Sequence, residues 1–392
     1  MEKKKDKQEI KDSQRQNQQY KNSRGTNLKI KYLEKKIIRN EQDNNFNLQT
    51  CFKHQNIPQI EGYERNSEDY YYDSYSHFNI HEEMLKDKVR TRCYMNSIIK
   101  NKHLFENKIV LDIGCGTGIL SIFAAQAGAK HVYGVENANI AKHARKIIEK
   151  NNLNHKITII QGKIEEVELP VQKVDIIISE WIGYFLLYES MLDCILDARD
   201  KYLNQNGLMF PDKAIMCVSS FQDDSLYEQR FNFWNNVYNV DMSCIKQWVF
   251  KEPLVEIIEE QCINSSQCDF KEFDLYTVKK SDLDFVSNYS INIRNDSFVQ
   301  GLVVWWEVHF QHGHTPLKIS SSPFNTVTHW KQTIFFINEE KNFLQVFKGN
   351  ILKGKIAVQK NENNIRDLDI KIQFKLNNQY IEYDKSFVYK LN

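Results

Sequence analysis

The stretch KIVLDIGCGTG, residues 108–118, limits what this chain can fold into more than any other. It is a short apolar run ending in three glycines spaced G-x-G-x-G, and the helical pattern ILSIFAAQAGA (119–129) follows it, with Gly128 placed to terminate that helix. A strand that turns straight into a helix is half of a βα unit. The other halves follow in order. HVYGVE (131–136) reads as a second strand, ANIAKHARKIIEKNNL (138–153) as an amphipathic helix and KITIIQG (156–162) as a third strand. KVDIIISE (173–180) is a near-continuous apolar run of the kind buried on both faces, and a helix over about 188–203 stops before Gly207. Repeated units of this size predict a parallel sheet covered by helices.

After FPDK (210–213) the texture changes to short alternating runs such as SINIRND, LVVWWEVHF and KQTIFFINEE, which are antiparallel strand signals. A domain boundary therefore falls near Pro211. DDSLYEQRFNFWNNVYNV (223–240) breaks the pattern and reads as helical and aromatic. It is either an interaction arm or a helix packed on its own barrel. Upstream, residues 1–65 are rich in Lys, Asn and Gln without sustained periodicity, and read as a disordered extension. Residues 1–50 carry 13 Lys/Arg against 7 Asp/Glu, so the remainder of a chain whose total is +1 is mildly acidic. That balance suits a basic substrate and excludes a global polyanion-binding field. The N-terminus lacks an apolar core for a secretory signal, and no run approaches the ~18 apolar residues of a membrane span. Eight scattered cysteines without a CxxC pair read as free thiols in a reducing compartment.

The glycine turn comprises Gly114, Gly116 and Gly118 behind Asp112, and it points to a nucleoside ligand. Glu136 closes the second strand, where a carboxylate accepts hydrogen bonds from a ribose diol. The spacing is one residue shorter than the dinucleotide fingerprint, which counts against the rival reading of a nicotinamide site. It resembles motif I of the S-adenosylmethionine-dependent methyltransferases instead.

A second motif lies beyond the fourth strand. SEWIGYFLLYES (179–190) sets Glu180 and Glu189 at the ends of an aromatic, almost uncharged loop. Carboxylates beside apolar surface ask for a positive partner. HEEML (81–85) is no zinc motif, since its i+4 residue is Leu85, and His309, His312 and His314 read as histidines of a surface strand and turn, so no metal is expected.

Taken in order, DSYSHFNIHEEML (73–85), VLDIGCGTG (110–118), VEN (135–137), SEWIGYFLLYES (179–190) and NTVTHWKQT (325–333) resemble the protein arginine N-methyltransferase family, type I, across roughly residues 68–392. The resemblance implies a Rossmann-like S-adenosylmethionine-binding domain (66–210), then an antiparallel β-barrel domain (211–392) with an inserted dimerisation arm (about 223–245), and a homodimer. It makes Phe210–Pro211 a cis hinge. It puts Tyr75, His81, Arg90, Asp112, Gly114, Gly116, Gly118, Glu136 and Glu165 on the cofactor, with Arg90 facing the methionine carboxylate. It puts Met84, Tyr184, Met191 and Trp330 around the substrate arginine, and Glu180, Glu189, His329 and Asp87 in catalysis. Either a glutamate takes the proton, or His329 relays it with Asp87. The implied products are mono- and asymmetric dimethylarginine on histone tails and Gly-Arg-rich proteins, in cytoplasm and nucleus, without direct nucleic-acid or membrane binding. Cys115, Ile182 and Tyr72 stand where many members carry Ser, Met and Phe; none of these removes a charged group.

Overall fold

The apolar runs pair in parallel. In the computed structural model, which describes residues 35–39, 46–52, 67–337 and 343–392, five strands form one sheet: Ile109–Ile113 (β1), His131–Glu136 (β2), Ile157–Gln161 (β3), Val174–Ser179 (β4) and Leu203–Phe210 (β5). Their order is β3-β2-β1-β4-β5 and every pairing is parallel. Val110 lies opposite Val132 on one side and Ile176 on the other, and all three are buried. The strand order therefore changes direction at β1, and a ligand crevice opens beyond the carboxyl ends of β1 and β4. Among the helices that precede the sheet are Ser67–Ser74 (α1), Phe78–Lys86 (α2) and Lys88–Ile99 (α3). Ile119–Gln126 (α4) follows β1, Ala141–Lys150 (α5) follows β2, and Leu192–Tyr202 (α6) joins β4 to β5.

Beyond the cis peptide Phe210–Pro211 the chain becomes a β-barrel built mainly from two sheets, with a small third of Ser297–Val299 and Leu344–Val346. One runs in the order Leu254–Glu256, Gln332–Phe336, Gly301–Phe310, Lys213–Phe221, Cys268–Asp274, with Leu317–Ser320 also paired to Gly301–Phe310. The other runs Ile381–Leu391, Leu368–Asn377, Ile351–Lys360, Phe285–Asn292, all antiparallel. Their inward residues, Phe273, Leu302, Ile356, Ile372 and Phe374 among them, share one core. The Tyr389 hydroxyl ties the sheets together by donating to the Phe336 carbonyl at 2.8 Å. Barrel and parallel sheet are joined by side chains as well as by the hinge. Arg199 of α6 donates from Nη1 to the carbonyls of Leu275 and Val278, each at 2.8 Å, and Lys360 reaches Asp193 at 2.6 Å.

Two expectations change. The extension is not structureless as far as residue 65: Lys36–Arg39 adds a parallel strand to the Ile381–Leu391 edge, and Phe46 and Cys51 bury against Ala357. An open strand edge offers unpaired backbone groups to any β-prone segment, and Ile37-Ile38 supplies one too short to show periodicity. Residues 1–34, 40–45 and 53–65 of the extension lie outside the described residues. The aromatic segment 223–240 is also not one helix. Asp223 caps Asp224–Arg230 (α7) by accepting from the Leu226 amide at 2.9 Å, a 3-10 turn covers Asn232–Asn235, and Tyr238 and Asn239 then adopt left-handed φ of +52° and +69°. Asn-rich sequence favours turns over helix interior, which ends α7 early. The base of this arm is core, with Phe231 and Phe250 stacked at 3.9 Å. Its tip is bare: Tyr238 is 95% exposed.

Candidate active site

Where β1 ends, Gly114, Gly116 and Gly118 take φ of +68°, +53° and +82°, the left-handed region in which a side chain is strained. A Cβ on Gly114 would stand 2.3 Å from the Met191 Cε. The turn thus brings bare backbone to the wall of a cavity of about 400 Å³. Glu136 closes the same wall from the end of β2. Its Oε2 accepts from the Gly116 amide at 2.9 Å and its Oε1 from the Ala138 amide at 2.8 Å, which fixes the carboxylate at the cavity. Burial raises its pKa in spite of those two bonds.

Glu180 follows directly on β4, and Oε2 receives both Nε and Nη2 of Arg90, at 2.9 and 2.7 Å. Its other oxygen accepts from the Ile182 amide at 3.0 Å. Arg90 projects from α3, whose first turn is capped by Asp87: Oδ1 accepts from the Arg90 amide at 2.9 Å. The fork expected for a cofactor carboxylate is therefore turned onto Glu180. Nη1 donates to the Met84 carbonyl at 3.3 Å.

Glu189 is held differently. Phe185, Leu186, Glu189 and Ser190 all have positive φ, between +51° and +75°, so the loop folds back on itself twice. Gly183 allows the reversal, because a Cβ there would meet the Tyr188 carbonyl oxygen at 1.9 Å. The Tyr75 hydroxyl donates to Glu189 Oε2 at 2.9 Å. Burial and the like charge of Glu180 raise the Glu189 carboxyl to about 7, against the pull of the Tyr75 hydrogen bond and of Arg366. Arg366 comes from the barrel, was not singled out in the sequence, and contacts the loop in both directions: its amide carbonyl accepts from the Glu189 N–H at 2.9 Å and its Nη1 donates to the Glu189 carbonyl at 2.6 Å.

Of the residues singled out in sequence, Tyr75, His81, Met84, Arg90, Gly114, Gly116, Glu136, Glu165, Glu180, Glu189 and Met191 share this one cavity. Six do not line it. Asp112 lies beneath the turn, fully buried, accepting from the Ser121 hydroxyl of α4 at 2.6 Å. That place makes it a support of the turn rather than a ligand contact, and burial raises its pKa to about 7. Gly118 is the first residue of α4's N-terminal turn. His329 bonds Asp87 Oδ2 through Nδ1 at 2.7 Å, and Trp330 donates from Nε1 to the Ile182 carbonyl at 2.9 Å, so both brace the walls from the barrel side. For Asp87, burial acts upward, but the bonds from His329 and the Arg90 amide outweigh it and leave the pKa lowered. Tyr184 stacks near Tyr188, with ring centroids 6.3 Å apart. Tyr71, missed in the sequence reading, lines the cavity beside Tyr75, and its hydroxyl approaches the Met191 sulfur at 3.9 Å. The local signal was there in the run YYYDSY, where spacing by four puts Tyr71 and Tyr75 on one helix face.

The candidate histidines do not make a metal centre. His309 pairs with Glu307 at 3.5 Å and His312 approaches Asp212 at 3.9 Å, and no group of three or more ligands converges among the described residues.

Comparison with known proteins agrees with this geometry. The arginine methyltransferase oligomerization subdomain matches residues 212–379, and the ribosomal protein L11 methyltransferase family matches residues 94–196. The chain is 50% identical over 311 residues to protein arginine N-methyltransferase 1 of Schizosaccharomyces pombe, covering 79% of this chain and 91% of that one. It is 46% identical to the protein of the same name from Dictyostelium discoideum, over 83% of this chain and 94% of the other. Among solved structures it is similar to the Trypanosoma brucei PRMT1 enzyme–prozyme heterotetramer with AdoHcy, at 42% identity and a TM-score of 0.78 over 82% of this chain and 100% of that one. It is also similar to Arabidopsis thaliana protein arginine methyltransferase 10, at 29% identity and a TM-score of 0.73 over 81% of this chain and 99% of that one.

Proposed function

We propose, from the premise that this chain belongs to the protein arginine N-methyltransferase family, that Glu180 and Glu189 grip the guanidinium of a substrate arginine while S-adenosylmethionine lies across the glycine turn. The observation that carries this reading is the pair of carboxylates in one cavity with that turn. The residues present fit the cofactor. Gly114 and Gly116 clear a cradle that a Cβ would obstruct, and Glu136 holds a fixed carboxylate for a diol at its rim. His81, Glu165 and Arg90 complete the set that would hold it. When bound it supplies a methyl group on a sulfonium, open to direct displacement.

The protein's own groups do the rest. A guanidinium is protonated at neutral pH and is a poor nucleophile. Two anions on different sides draw its charge toward some nitrogens and leave one with more lone-pair character. Glu180 is the jaw that is already held, because Arg90 and the Ile182 amide occupy its oxygens. Glu189, at about 7, is suited to take the proton that must leave as the nitrogen is methylated. His329 and Asp87 lie outside the cavity lining and serve α3, which favours Glu189 as the proton acceptor. Tyr75 and His81 close the site from the N-terminal side; His81 bonds the Tyr75 carbonyl at 2.8 Å.

Met84 and Met191 flank the cavity where a bulkier ring would crowd a twice-methylated nitrogen, which supports asymmetric dimethylarginine as the final product. Substrates are arginine-bearing tails of the histone and Gly-Arg-rich kind, in cytoplasm and nucleus. The chain works as an oligomer. Phe233, Tyr238 and Val240, exposed on the arm, suit a homodimer contact with a second copy. The test is mass spectrometry of a Gly-Arg-rich peptide after incubation with S-adenosylmethionine. Asymmetric dimethylarginine is expected; symmetric or monomethyl product alone contradicts the reading. Sedimentation of Tyr238→Asp should show monomer where the native chain shows dimer.

A further inference from the structure

We propose that Arg366, on the barrel, is a positioning residue for methyl transfer: it holds the Glu189 loop and the helix α1 in one working arrangement. The proposal rests on the reading of Glu189 as one jaw of the grip.

The turn that presents Arg366 is built to do so. Asn361 is buried, bonded to Asp369 through Nδ2 at 3.0 Å, and its Oδ1 accepts from the amides of Asn363 and Asn364. Asn364 in turn accepts from the Arg366 amide at 3.1 Å and donates to Asp367 at 2.8 Å. A chain of side-chain-to-backbone bonds of this kind gives the turn a fixed shape before anything docks on it.

Contacts from the loop and from α1 then converge on this turn. Its backbone carbonyl and its Nη1 bracket the Glu189 peptide from both sides, at 2.9 and 2.6 Å, and the neighbouring Ile365 carbonyl accepts from the Ser190 hydroxyl. Glu189 and Ser190 are the residues at φ +75° and +55°, a conformation that survives only when its surroundings impose it. The guanidinium carbon also lies 3.7 Å from the centre of the Tyr71 ring and 5.3 Å from that of Tyr72, both on α1. Tyr75, one turn further on, donates to the Glu189 carboxylate. One planar cation therefore joins the jaw to the helix that closes over it. Its charge also favours the ionised form of Glu189. Nε is buried without a partner, so the guanidinium is placed by the loop and the rings rather than by saturating its own donors.

The other charged groups facing Glu189 are Glu180 and, across it, Arg90; Tyr71 faces it from α1 and Tyr75 from the turn just after that helix. Arg366→Ala removes a cation from that set. It should lower kcat roughly 10- to 100-fold, since a misplaced catalytic group costs that much. It should also move the midpoint of the kcat/KM pH profile upward, which a merely structural role would not do. Arg366→Lys keeps the charge but loses the plane and the fork. Its kcat should fall comparably, with the pH midpoint near native, and this variant carries the test if Arg366→Ala does not fold. Native kcat and native pH midpoint in a folded variant overturn the proposal. Glu189→Gln separates the two readings. If it is inactive while Arg366→Ala is native-like, the positioning role alone fails; if Glu189→Gln is itself active, the grip fails.

Discussion

Glu180 and Glu189 carry the same side chain into the same cavity and are built in opposite ways. Glu180 sits at the end of a buried parallel strand, where backbone geometry is regular and an arginine from α3 takes one of its oxygens twice. Glu189 sits in a loop with four left-handed residues, held by a barrel turn 177 positions away in sequence and by one tyrosine hydroxyl. The first carboxylate is neutralised by a fixed cation before substrate arrives. The second is nearly as enclosed without a saturating partner, and its pKa rises to about 7. One carboxylate thus comes with its counter-charge in place and the other without, because the elements that deliver them differ.

The largest effect should come from breaking either jaw. Glu180→Gln and Glu189→Gln should each cut kcat by about 10²–10³, the loss typical of one preorganised electrostatic contact, in a labelled-methyl assay. Stability should then tell them apart. Glu180→Gln leaves Arg90 enclosed without its counter-charge, a loss of roughly 1.5–3 kcal/mol in denaturant titration at pH 8. Glu189→Gln should instead stabilise at that pH. A carboxyl whose folded pKa is raised contributes stability below the ordinary carboxylate range and loses it as pH rises through about 7. Removing it should gain on the order of 2 kcal/mol at pH 8 and little at pH 4. The pH profile sharpens the contrast. kcat/KM should rise with pH around 7 as Glu189 ionises, and Tyr75→Phe, which removes a donor to the carboxylate, should shift that limb upward. Trp330→Phe tests the Glu180 side most gently. Losing the bond to the Ile182 carbonyl should lower stability by about 1 kcal/mol and change the rate little.

How far the sequence carried this account depended on whether a feature is local. The glycine turn, Glu136 and the β4 run were legible because strand, turn and helix are written in consecutive residues. The glutamates were legible because an acidic pair framing aromatics is chemically odd. Asp112 misled: an acid beside a glycine turn looks like a ligand contact, but its position inside β1 buries it against Ser121. Arg366 was invisible, because NENNIRD reads as an ordinary polar turn and only the fold brings it to Glu189. The arm was over-read as helix because its aromatics have helical spacing while its asparagines break it. The docking of Lys36–Arg39 escaped because four residues carry no periodicity and the partner strand is at the far end of the chain.

The central claim is that the carboxylate pair recognises an arginine cation, separately from the cofactor. The direct measurement pairs transfer of labelled methyl from S-adenosylmethionine to a Gly-Arg peptide with cofactor calorimetry, for the native chain and Glu189→Gln, with a Gly-Lys peptide alongside. The account predicts transfer to arginine alone by the native protein, a rate lower by about 10²–10³ for Glu189→Gln, and a cofactor Kd unchanged between them. Native-like transfer by Glu189→Gln, or equal transfer to lysine, would contradict it.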